Sequence, residues 1–419
     1  MSVECAPCGI PAGYKQTEMG VIPEDWQLVP MGLLGSFTKG SGIRKDEASS
    51  GDIPCIRYGE IYTHHNDIIR FFNSWISKEV STLSKKLKKG DILFAGSGET
   101  KEEIGKCVAF VDDREAYAGG DIVILTPTEG YSPFLAYLFN SPIIARQKAS
   151  KGQGDAVVHI SHKVLYSIKV PLPPTVAEQE AIAQALTNAD ALIESLEQLI
   201  AKKRQIKQGA MQELLTGKRW LPGFSGEWDV YNLRKFVKNF IVPMRDKPKR
   251  FTGDIPWCRI EDFEGTYLSG SKSNQCVDNE TIHTMNLKVY PAGTLLVSCS
   301  ADLGRCAIVS RPLISNQTFI GLEMNENVSS NLFFYYYMTS KADELNNFSS
   351  GTTISYLSRE QFEELNVFVP FDKQEQTAIA TILSDMDAEI AALEEKLEKS
   401  RMLKQGMMQE LLTGRIRLV

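Results

Sequence analysis

The sequence predicts an α+β fold made by tandem duplication with pseudo-twofold symmetry. Two globular mixed α/β domains are expected, separated by two long helices that form an antiparallel coiled coil. The main observation is a repeat, because residues 178–218 match residues 375–415 without a gap at more than half of the positions. A weaker repeat lies outside the helices, where Trp26 and the residues after it match Trp228 and its successors. Copies this far apart along the chain are unlike the adjacent, stacked repeats of a solenoid. The predicted parts are a first domain over 1–176, a first helix over 177–219, a second domain over 220–372 and a second helix over 373–419.

The two helices are predicted from apolar residues that are spaced alternately four and three positions apart. This spacing places one apolar seam along each helix for about three heptads, as in coiled coils. Proline precedes both segments, at 173–174 and at 370. Thr-Gly pairs at 216–217 and 413–414 are typical of helix ends, because glycine adopts a left-handed backbone at low cost. The seam residues are Ile182, Leu186, Ile193 and Leu196 in the first helix and Ile379, Leu383, Ile390 and Leu393 in the second.

The partner of each helix and the role of its basic residues stay open at this level. The obvious partner of each helix is the other copy, because the intervening domain lets the two helices lie antiparallel. The alternative is that each helix packs only on its own domain. Basic residues interrupt the seam at 202–204 and Lys207, and at Lys399, Arg401 and Lys404. Most such runs are solvated helix faces, and the alternative is a surface that meets a partner or a phosphate group.

The domain interiors are predicted to be strands joined by tight turns, followed by one aromatic helix in each domain. Short β-branched and aromatic runs are bounded by Gly, Asp and Ser, which is typical of strands and turns. The aromatic helices are expected to belong to the core rather than to a cofactor site. The strands are predicted at 91–94, 107–111 and 121–125 in the first domain and at 294–297, 307–309 and 319–322 in the second, and the aromatic helices at 133–139 and 332–338.

Composition limits the class of protein. The chain has 419 residues, enough for two or three domains, with 43% hydrophobic and 23% charged residues, as in ordinary globular proteins. No stretch approaches the ~20 apolar residues of a membrane span, and the first residues lack a signal-peptide pattern. Eight cysteines are too few for a disulfide scaffold of this size, so reduced thiols and a cytoplasmic location are expected. The net charge of −6 argues against nucleic-acid binding by the whole surface, but it leaves room for a local basic face.

Several catalytic look-alikes fail on their details. Residues 94–98 resemble the glycine loop of methyltransferases, but the sequence has no Asn-Pro-Pro-aromatic or Asp-Pro-Pro-aromatic tetrapeptide to hold a flipped base. The run from Gly98 to Cys107 has the wrong spacing for a phosphate loop. Cys5 and Cys8, with the histidine pair at 159 and 162, resemble half-sites for zinc, but the matching positions of the second half lack histidine. We therefore predict no catalytic residues, no metal and no cofactor in this chain.

The sequence offers recognition chemistry instead. Two loops rich in glycine, hydroxyl and basic residues recur in both domains, at 96–106 and 151–163 and again at 298–305 and 350–359. Backbone amides, hydroxyls and Lys or Arg heads suit phosphate contacts, whereas Gln, His and Arg suit the edges of bases. The candidate DNA-binding residues are Arg44, Lys45, Arg57, Lys101, Lys106, Lys151, Gln153, His162 and Lys163 in the first domain, and Arg245, Lys247, Lys249, Arg250, Arg259, Arg305, Thr352, Thr353 and Arg359 in the second.

The order of these parts resembles the DNA-specificity subunit of Type I restriction–modification enzymes. The resemblance is carried by the helix ends QELLTGK and QELLTGR, by their alternation with two divergent domains, and by the segment GYKQTEMGVIPEDW at 13–26. It spans essentially the whole chain. It implies that each variable domain is a target recognition domain that reads one half of a split double-stranded DNA site. It also implies that the helices are a spacer on which methylation subunits dock.

In that family catalysis belongs to other chains. The resemblance implies two methylation subunits that use S-adenosylmethionine to methylate adenine, and restriction subunits that use ATP and Mg²⁺ for translocation and cleavage. Two alternative functions explain part of the observations. A coiled-coil scaffold with two ligand-binding domains explains the duplication but not the paired basic loops, and a fused restriction enzyme needs motifs that the sequence lacks.

Overall fold

The computed structural model describes residues 10–154, 157–243, 247–299, 303–348 and 358–418. The chain divides into two compact units, Met1–Leu196 with Lys396–Val419, and Glu197–Glu395. Each unit contains one mixed α/β domain and a part of each of two 39-residue helices. This division differs from a linear succession of four parts, because each long helix contributes to both units. No helix among the described residues is long and apolar enough to cross a lipid bilayer.

The first unit begins with short strands and ends with the two long helices. Its strands are β1 (Tyr14–Thr17), β2 (Gly20–Pro23), β3 (Gln27–Pro30), β4 (Gly35–Lys39), β5 (Ile53–Ile56), β6 (Ser74–Ile76), β7 (Lys85–Lys86), β8 (Ile92–Ala95), β9 (Ser97–Gly98), β10 (Cys107–Ala109), β11 (Tyr117–Ala118), β12 (Ile122–Pro127), β13 (Val158–His159) and β14 (Lys169–Leu172). Its helices are α1 (Tyr58–Thr63), α2 (Lys78–Leu83), α3 (Ser132–Asn140), α4 (Pro142–Lys151), α5 (His162–Tyr166) and the start of α6 (Val176–Leu214), with 3-10 turns at Met31–Leu33 and Lys45–Glu47.

The second unit has a similar but shorter series of elements. Its strands are β15 (Trp228–Asn232), β16 (Val237–Ile241), β17 (Ile255–Cys258), β18 (Tyr267–Leu268), β19 (Cys276–Val277), β20 (Leu295–Ser298), β21 (Cys306–Val309), β22 (Ile314–Ser315), β23 (Phe319–Met324) and β24 (Asn366–Pro370). Its helices are α7 (Asn279–Thr284), α8 (Asn331–Ser340), α9 (Ala342–Phe348), α10 (Arg359–Glu363) and the start of α11 (Lys373–Leu411), with 3-10 turns at Leu233–Lys235 and Ile260–Asp262.

The central sheets of the two units have the same strand order. The first is β10-β8-β12-β4 and the second is β21-β20-β23-β16, extended by β18 beside β21. Each unit also has a parallel strand pair outside the central sheet, β5 with β11 in the first and β17 with β22 in the second. In each unit an early strand pairs antiparallel with the last strand of the domain, β3 with β14 and β15 with β24. The duplication predicted from the sequence is therefore a duplication of the fold.

Both central sheets are buried on two faces, which explains their nearly continuous apolar runs. In β8, Ile92 and Phe94 join one core while Leu93 and Ala95 join another, as the two-residue period of a strand requires. The six predicted strands are confirmed as β8, β10, β12, β20, β21 and β23, and the two aromatic helices as α3 and α8. Their aromatic residues lie in the cores, for example Phe134 and Phe333, which are fully buried.

The long helices pack on the domains and on each other. The predicted antiparallel coiled coil is confirmed in the second unit, where ion pairs join Lys203 to Glu389 and Lys207 to Asp387, so that residue numbers rise on one helix as they fall on the other. Six seam residues are buried and two are half-buried; the buried ones are Ile182, Leu186, Leu196, Ile379, Leu383 and Ile390, and the half-buried ones are Ile193 and Leu393. The same seam enters the domain cores, so both alternatives for helix packing hold together.

The repeated Glu-Gln pair near the start of each long helix attaches that helix to its domain. Gln179 is buried; its Oε1 accepts the backbone N–H of Tyr131 (2.8 Å) and its Nε2 donates to the carbonyl of Pro173 (3.3 Å). Gln376 makes the equivalent bonds, accepting from the N–H of Ser330 (2.9 Å) and donating to the carbonyl of Pro370 (2.9 Å). These bonds satisfy buried amide groups that would otherwise be costly.

The predicted glycine stops are also confirmed. The helices end at Leu214 and Leu411, and the chain then turns through Gly217 and Gly414, whose φ angles are 69° and 70°. A left-handed backbone at the end of a helix is the conformation that glycine adopts most cheaply. The observed helices are therefore a few residues shorter at their C-terminal ends than the predicted segments.

Candidate nucleic-acid interface

The two predicted recognition loops of the first unit meet in the structure. Strand β9 pairs antiparallel with β13, with Gly98 opposite Val158 and Ser97 opposite His159. The backbone N–H of Ile160 donates to the carbonyl of Gly96 (2.9 Å). Gln153 and His159 exchange backbone hydrogen bonds of 3.0 and 2.8 Å, which closes the second loop on itself. Residues more than 60 positions apart are thereby held in one rigid surface.

A cleft of about 410 Å³ opens where these loops meet the edge of the central sheet. Ser97 Oγ lies 2.9 Å from Nδ1 of His159. Lys39, at the end of β4, has its Nζ 4.0 Å from Asp121, and both side chains are more than half exposed. Hydroxyl, imidazole and ammonium groups therefore line one concave surface. The lining residues are Phe37, Thr38, Lys39, Gly96, Ser97, Asp121, Val123, His159, Ile160, Ser161 and His162.

A serine cap positions the polar residues at the start of α5. The Oγ of Ser161 accepts the backbone N–H of Val164, and His162 and Lys163 follow it as exposed residues. The second unit repeats this arrangement at α10, where Ser358 Oγ accepts from the N–H of Gln361 and Arg359 follows. Arg359 is exposed but its Nε contacts Glu363 (2.5 Å). The loop repeat seen in the sequence is thus a repeated helix start.

Two of the arginines predicted to bind DNA, one in each unit, make hydrogen bonds and ion pairs within their own unit. Arg57 Nε lies 3.0 Å from Oε1 of the buried Glu60, which also accepts the backbone N–H of Arg57 (3.5 Å). At the equivalent place the carboxylate of Asp262 accepts the backbone N–H of Arg259 (2.6 Å), and Arg259 Nη2 donates to Gln275 Oε1 (2.7 Å). Sequence reasoning missed these acidic and amide partners.

Lys106 and Arg305 form a second repeated pair with internal contacts. Lys106 Nζ donates to the carbonyl of His65 (2.8 Å), and Arg305 Nη2 donates to the carbonyl of Phe263 (2.9 Å). Burial lowers the pKa of Lys106 from its ordinary value, with Asp67 acting in the opposite direction. Both cations thus hold a segment of their domain, the one that follows β5 in the first unit and the one that follows β17 in the second.

The remaining candidates are mainly exposed cations on loops. Arg44, Lys45, Lys101, Lys151 and Gln153 are exposed in the first unit. Lys151 Nζ donates to Ser167 Oγ (2.9 Å). These residues do not belong to the lining of the cleft.

In the second unit Lys247, Lys249 and Arg250 are exposed, and the Nζ of Lys247 lies 5.8 Å from the ring centre of Phe251. Arg245, Thr352 and Thr353 lie outside the described residues, as do Cys5 and Cys8 of the zinc hypothesis. Within the described ranges, no three His, Cys, Asp or Glu side chains are grouped as a metal ion would require. The DNA-contact assignments therefore stay predictions.

Sequence reasoning missed Lys39 and the part of the cleft built on β4. The signal was weak, because Lys39 is one lysine at the end of a strand, and only the sheet order places β4 beside β12. Three basic residues of α6 form ion pairs with the opposite helix, and a role of the basic runs toward a partner or a phosphate stays a prediction. Arg204 Nη2 reaches Glu394 (2.6 Å), and Lys203 and Lys207 pair with residues of the opposite helix in the same unit.

Comparison with known proteins agrees with this architecture. The family model described as the Type I restriction modification DNA specificity domain matches twice, over residues 23–206 and 226–400. The MjaX protein of Methanocaldococcus jannaschii, provisionally named as a type I restriction enzyme specificity subunit, is 28% identical over 97% of this chain and 97% of its own length.

Two solved structures share the fold at low sequence identity. The S subunit of a Type I restriction–modification system from M. genitalium aligns with a TM-score of 0.59 and 16% identity, covering 92% of this chain and 96% of that one. A chain from a study of complex assembly and conformational transition of the type I R-M system gives a TM-score of 0.57 and 17% identity, covering 94% and 99%. At these identities the likeness concerns the fold alone.

Proposed function

This chain belongs to the family of Type I restriction–modification DNA specificity subunits, and we propose that each of its units reads one half of a split double-stranded DNA target. The observation that carries the proposal is the duplicated fold, in which two sheets of the same strand order support divergent loops. A single small reader contacts few base pairs, whereas two linked readers gain discrimination through effective concentration. The chain is a specificity subunit, and the split target is our inference for it.

In the first unit we place the reading surface at the cleft between β4, β9 and β13. Lys39 supplies a cation for a phosphate, while Ser97, His159 and His162 supply donors and acceptors for phosphates or base edges. The pairing of β9 with β13 keeps these groups in fixed positions, which favours readout over a flexible contact. Arg44, Lys45 and Lys163 extend the positive charge around this region in our proposal.

In the second unit the proposed surface includes the exposed basic segment Lys247, Lys249 and Arg250 and the start of α10. A local basic patch of this kind supports phosphate contacts even in a chain of net charge −6. Arg57, Arg259, Lys106 and Arg305 are better explained as supports of the reading loops, because each donates to a partner inside its own unit.

We further propose that the helices dock two methylation subunits. Ile206 in the second unit and Leu403 in the first occupy equivalent positions of the repeat, and both are exposed aliphatic residues. An exposed aliphatic residue that is present in both copies fits a partner that binds twice. Ile206→Lys and Leu403→Lys should each weaken co-purification of the methylation subunit, while Lys202→Ala, on a neighbouring exposed position, should not. Retention by both aliphatic variants would place docking elsewhere.

Catalysis is assigned to those partners. In this proposal the chain is not an enzyme and holds no cofactor, while partner subunits use S-adenosylmethionine for adenine methylation, and restriction subunits use ATP and Mg²⁺. The complex acts in the cytoplasm on double-stranded DNA. The helices set the length of the gap between the two half-sites, because a coiled coil is stiffer than a loop.

Methylome mapping tests the proposal directly. The chain is co-expressed with its cognate methylation subunit in a host without adenine methylation, and modified adenines are mapped by long-read sequencing. Two short specific sequences around a fixed unspecific gap are expected. A matched control exchanges residues 229–372 for those of another family member, which should change only one half of the target. If a co-purifying complex leaves DNA unmethylated while a control specificity subunit directs methylation, the scaffold function replaces ours.

The spacer role has its own test. Insertion of one heptad into each long helix, after Leu196 and after Leu393, preserves the seam and lengthens each helix by about 10 Å. At ~3.4 Å per base pair the recognised gap should grow by about three base pairs. An unchanged gap in a folded, methylating complex would refute the helix as the spacer.

A further inference from the structure

The same three side chains meet in both units, at the junction between each domain and the helix pair. In the first unit Lys404 Nζ lies 2.7 Å from Asp190 Oδ1, and the hydroxyl of Tyr137 donates to Asp190 Oδ2 (2.6 Å). Lys404 Nζ also lies 5.4 Å from the centre of the Tyr137 ring. One side chain comes from α6, one from α11 and one from the domain helix α3.

The second unit repeats this Lys-Asp-Tyr cluster. Lys207 Nζ pairs with Asp387 Oδ1, the hydroxyl of Tyr336 donates to Asp387 Oδ2 (2.7 Å), and Lys207 Nζ lies 5.4 Å from the Tyr336 ring centre. The helices exchange roles, because the lysine now comes from α6 and the aspartate from α11, while the tyrosine comes from α8. A repeat of geometry as well as of residue type shows that the cluster belongs to the duplicated frame.

The tyrosine is the only member that the domain contributes to both clusters. Tyr137 and Tyr336 are buried, so each hydroxyl needs an acceptor, and the aspartate of the helix pair supplies a charged one. Burial, followed by the hydrogen bond to the aspartate, raises the pKa of each tyrosine, which keeps the hydroxyl as the donor. A directional bond of this kind fixes the rotation of the domain helix, which nonpolar packing alone restrains less.

The two clusters differ in that the lysine of the first has an additional ion-pair partner in the domain. In the first unit Lys404 also lies 3.0 Å from Oδ2 of Asp67, whose other oxygen accepts from Nδ2 of Asn140 (2.9 Å). Burial lowers the pKa of Lys404, but Asp67 and Asp190 outweigh burial and raise it above its ordinary value. The first domain therefore has a second polar attachment to the lysine, besides its tyrosine.

We infer that Tyr137 and Tyr336 are positioning residues, which set the orientation of each DNA-reading domain on the helix pair through the Lys-Asp-Tyr clusters. This inference rests on the proposed function for its consequence in DNA recognition. Because the clusters are equivalent, a domain exchanged in from another family member should need a tyrosine at the position of Tyr137 or Tyr336 to pack on these helices in the same orientation.

The test compares Tyr336→Phe with Tyr335→Phe in the full chain bound to its methylation subunit. Phenylalanine retains the ring and removes only the hydroxyl, and Tyr335 is the adjacent residue of α8 outside the cluster. Methylation is measured on the mapped target and on targets whose gap is one base pair longer or shorter. Tyr336→Phe should lower the preference for the natural gap about tenfold, with unchanged half-site sequences, and Tyr335→Phe should keep it. A mere loss of stability would lower the amount of active complex and leave this ratio unchanged.

A second readout needs no DNA. Hydrogen exchange of the α8 amides in the isolated full chain should accelerate about tenfold in Tyr336→Phe and in Asp387→Leu, but not in Tyr335→Phe. Tyr137→Phe should have a smaller effect on α3, because Lys404 keeps its contact with Asp67. If the wild type does not methylate a split target, the proposed function fails while exchange still decides the positioning role. Unchanged α8 exchange in Tyr336→Phe, or a larger effect of Tyr137→Phe on α3, would overturn the inference.

Discussion

Arg417→Ala should destabilise the first unit strongly, although the residue lies on a short segment after the last helix. The guanidinium group reaches Glu178 through Nε and Nη2, the latter at 2.8 Å, and Asp25 through Nη1 (3.0 Å) and Nη2 (3.1 Å). It also lies 6.0 Å from the ring centre of Trp26. One side chain therefore joins the N-terminal segment, the start of α6 and the residues after α11.

The magnitude follows from the burial of Glu178. Its side chain is 1% exposed, so removal of the arginine leaves a buried carboxylate without its cation. Breaking such a pair costs about 3–5 kcal/mol when both partners are buried. The Arg417 side chain is 31% exposed, so water compensates in part, and we expect a loss of about 2–3 kcal/mol. The hydrogen bond from Arg417 lowers the pKa of Asp25, but that carboxylate is half-exposed and adds little.

Hydrogen exchange read on peptides of each unit is the suitable assay, because a chain with two units need not unfold in one step. Peptides of the first unit should lose about 2–3 kcal/mol of protection, whereas peptides of the second unit should be unchanged. Arg415→Ala is the matched control, since Arg415 is mostly exposed and lies 3.6 Å from Glu410, and it should cost less than about 0.5 kcal/mol.

The double variant Arg417→Ala/Glu178→Gln should recover part of the stability, because the amide is neutral. Equal losses of protection in Arg417→Ala and Arg415→Ala would refute the reasoning, since the Glu178 carboxylate would then be stabilised without the arginine.

Three further predictions rest on other parts of the structure. Gly414→Ala should destabilise the first unit by more than about 1 kcal/mol, because φ is +70° and the new Cβ would lie 2.5 Å from Pro23 Cγ. Gly406→Ala, which has open space around the new Cβ inside α11, should instead stabilise by about 0.5–1 kcal/mol, and thermal unfolding of both variants decides. His65 is buried with neither ring nitrogen hydrogen-bonded among the described residues, and burial lowers its pKa to about 4. The stability that the neutral imidazole contributes should therefore be fully present above pH ~6.5 and fall by about 3 kcal/mol as the pH drops towards 4; His65→Leu should flatten this dependence and His64→Gln should not. Lys39→Ala should weaken DNA binding and reduce the slope of the binding constant against salt concentration, on logarithmic scales, by about one, as a lost phosphate contact does. Lys86→Ala, at a lysine paired with Glu115, should leave both the affinity and the slope unchanged. An unaltered slope in Lys39→Ala would remove Lys39 from the interface.

The sequence predicted the parts of this fold whose signal is local and repeated. The heptad spacing of Ile182, Leu186, Ile379 and Leu383 defined the long helices, because burial of one helix face imposes a period on the residues of that face alone. The six strands were recognisable because their apolar runs end at turn residues. The family resemblance followed from the repeated helix ends, and the comparisons bear it out.

The candidate site was predicted less completely. The two loops of the first unit were identified from composition, and the structure brings them together through β9 and β13. Lys39 was missed because its place beside Asp121 depends on the order of strands in the sheet. Arg57 and Lys106 were named as candidate DNA contacts, since an arginine or lysine has the same composition signal whether it meets DNA or a carboxylate or carbonyl of its own chain.

The sequence by itself determined that this protein is a duplicated pair of α/β domains with long apolar-seamed helices, since periodicity and repetition are properties of the chain. Only the tertiary structure decided which charges are paired. Lys404 meets Asp67 across 337 positions of sequence, and Arg417 meets Asp25 across 392. An ion pair depends on the distance between two side-chain heads, and no local pattern encodes that distance. It is set by the packing of helices and sheets, which fixes where each head lies.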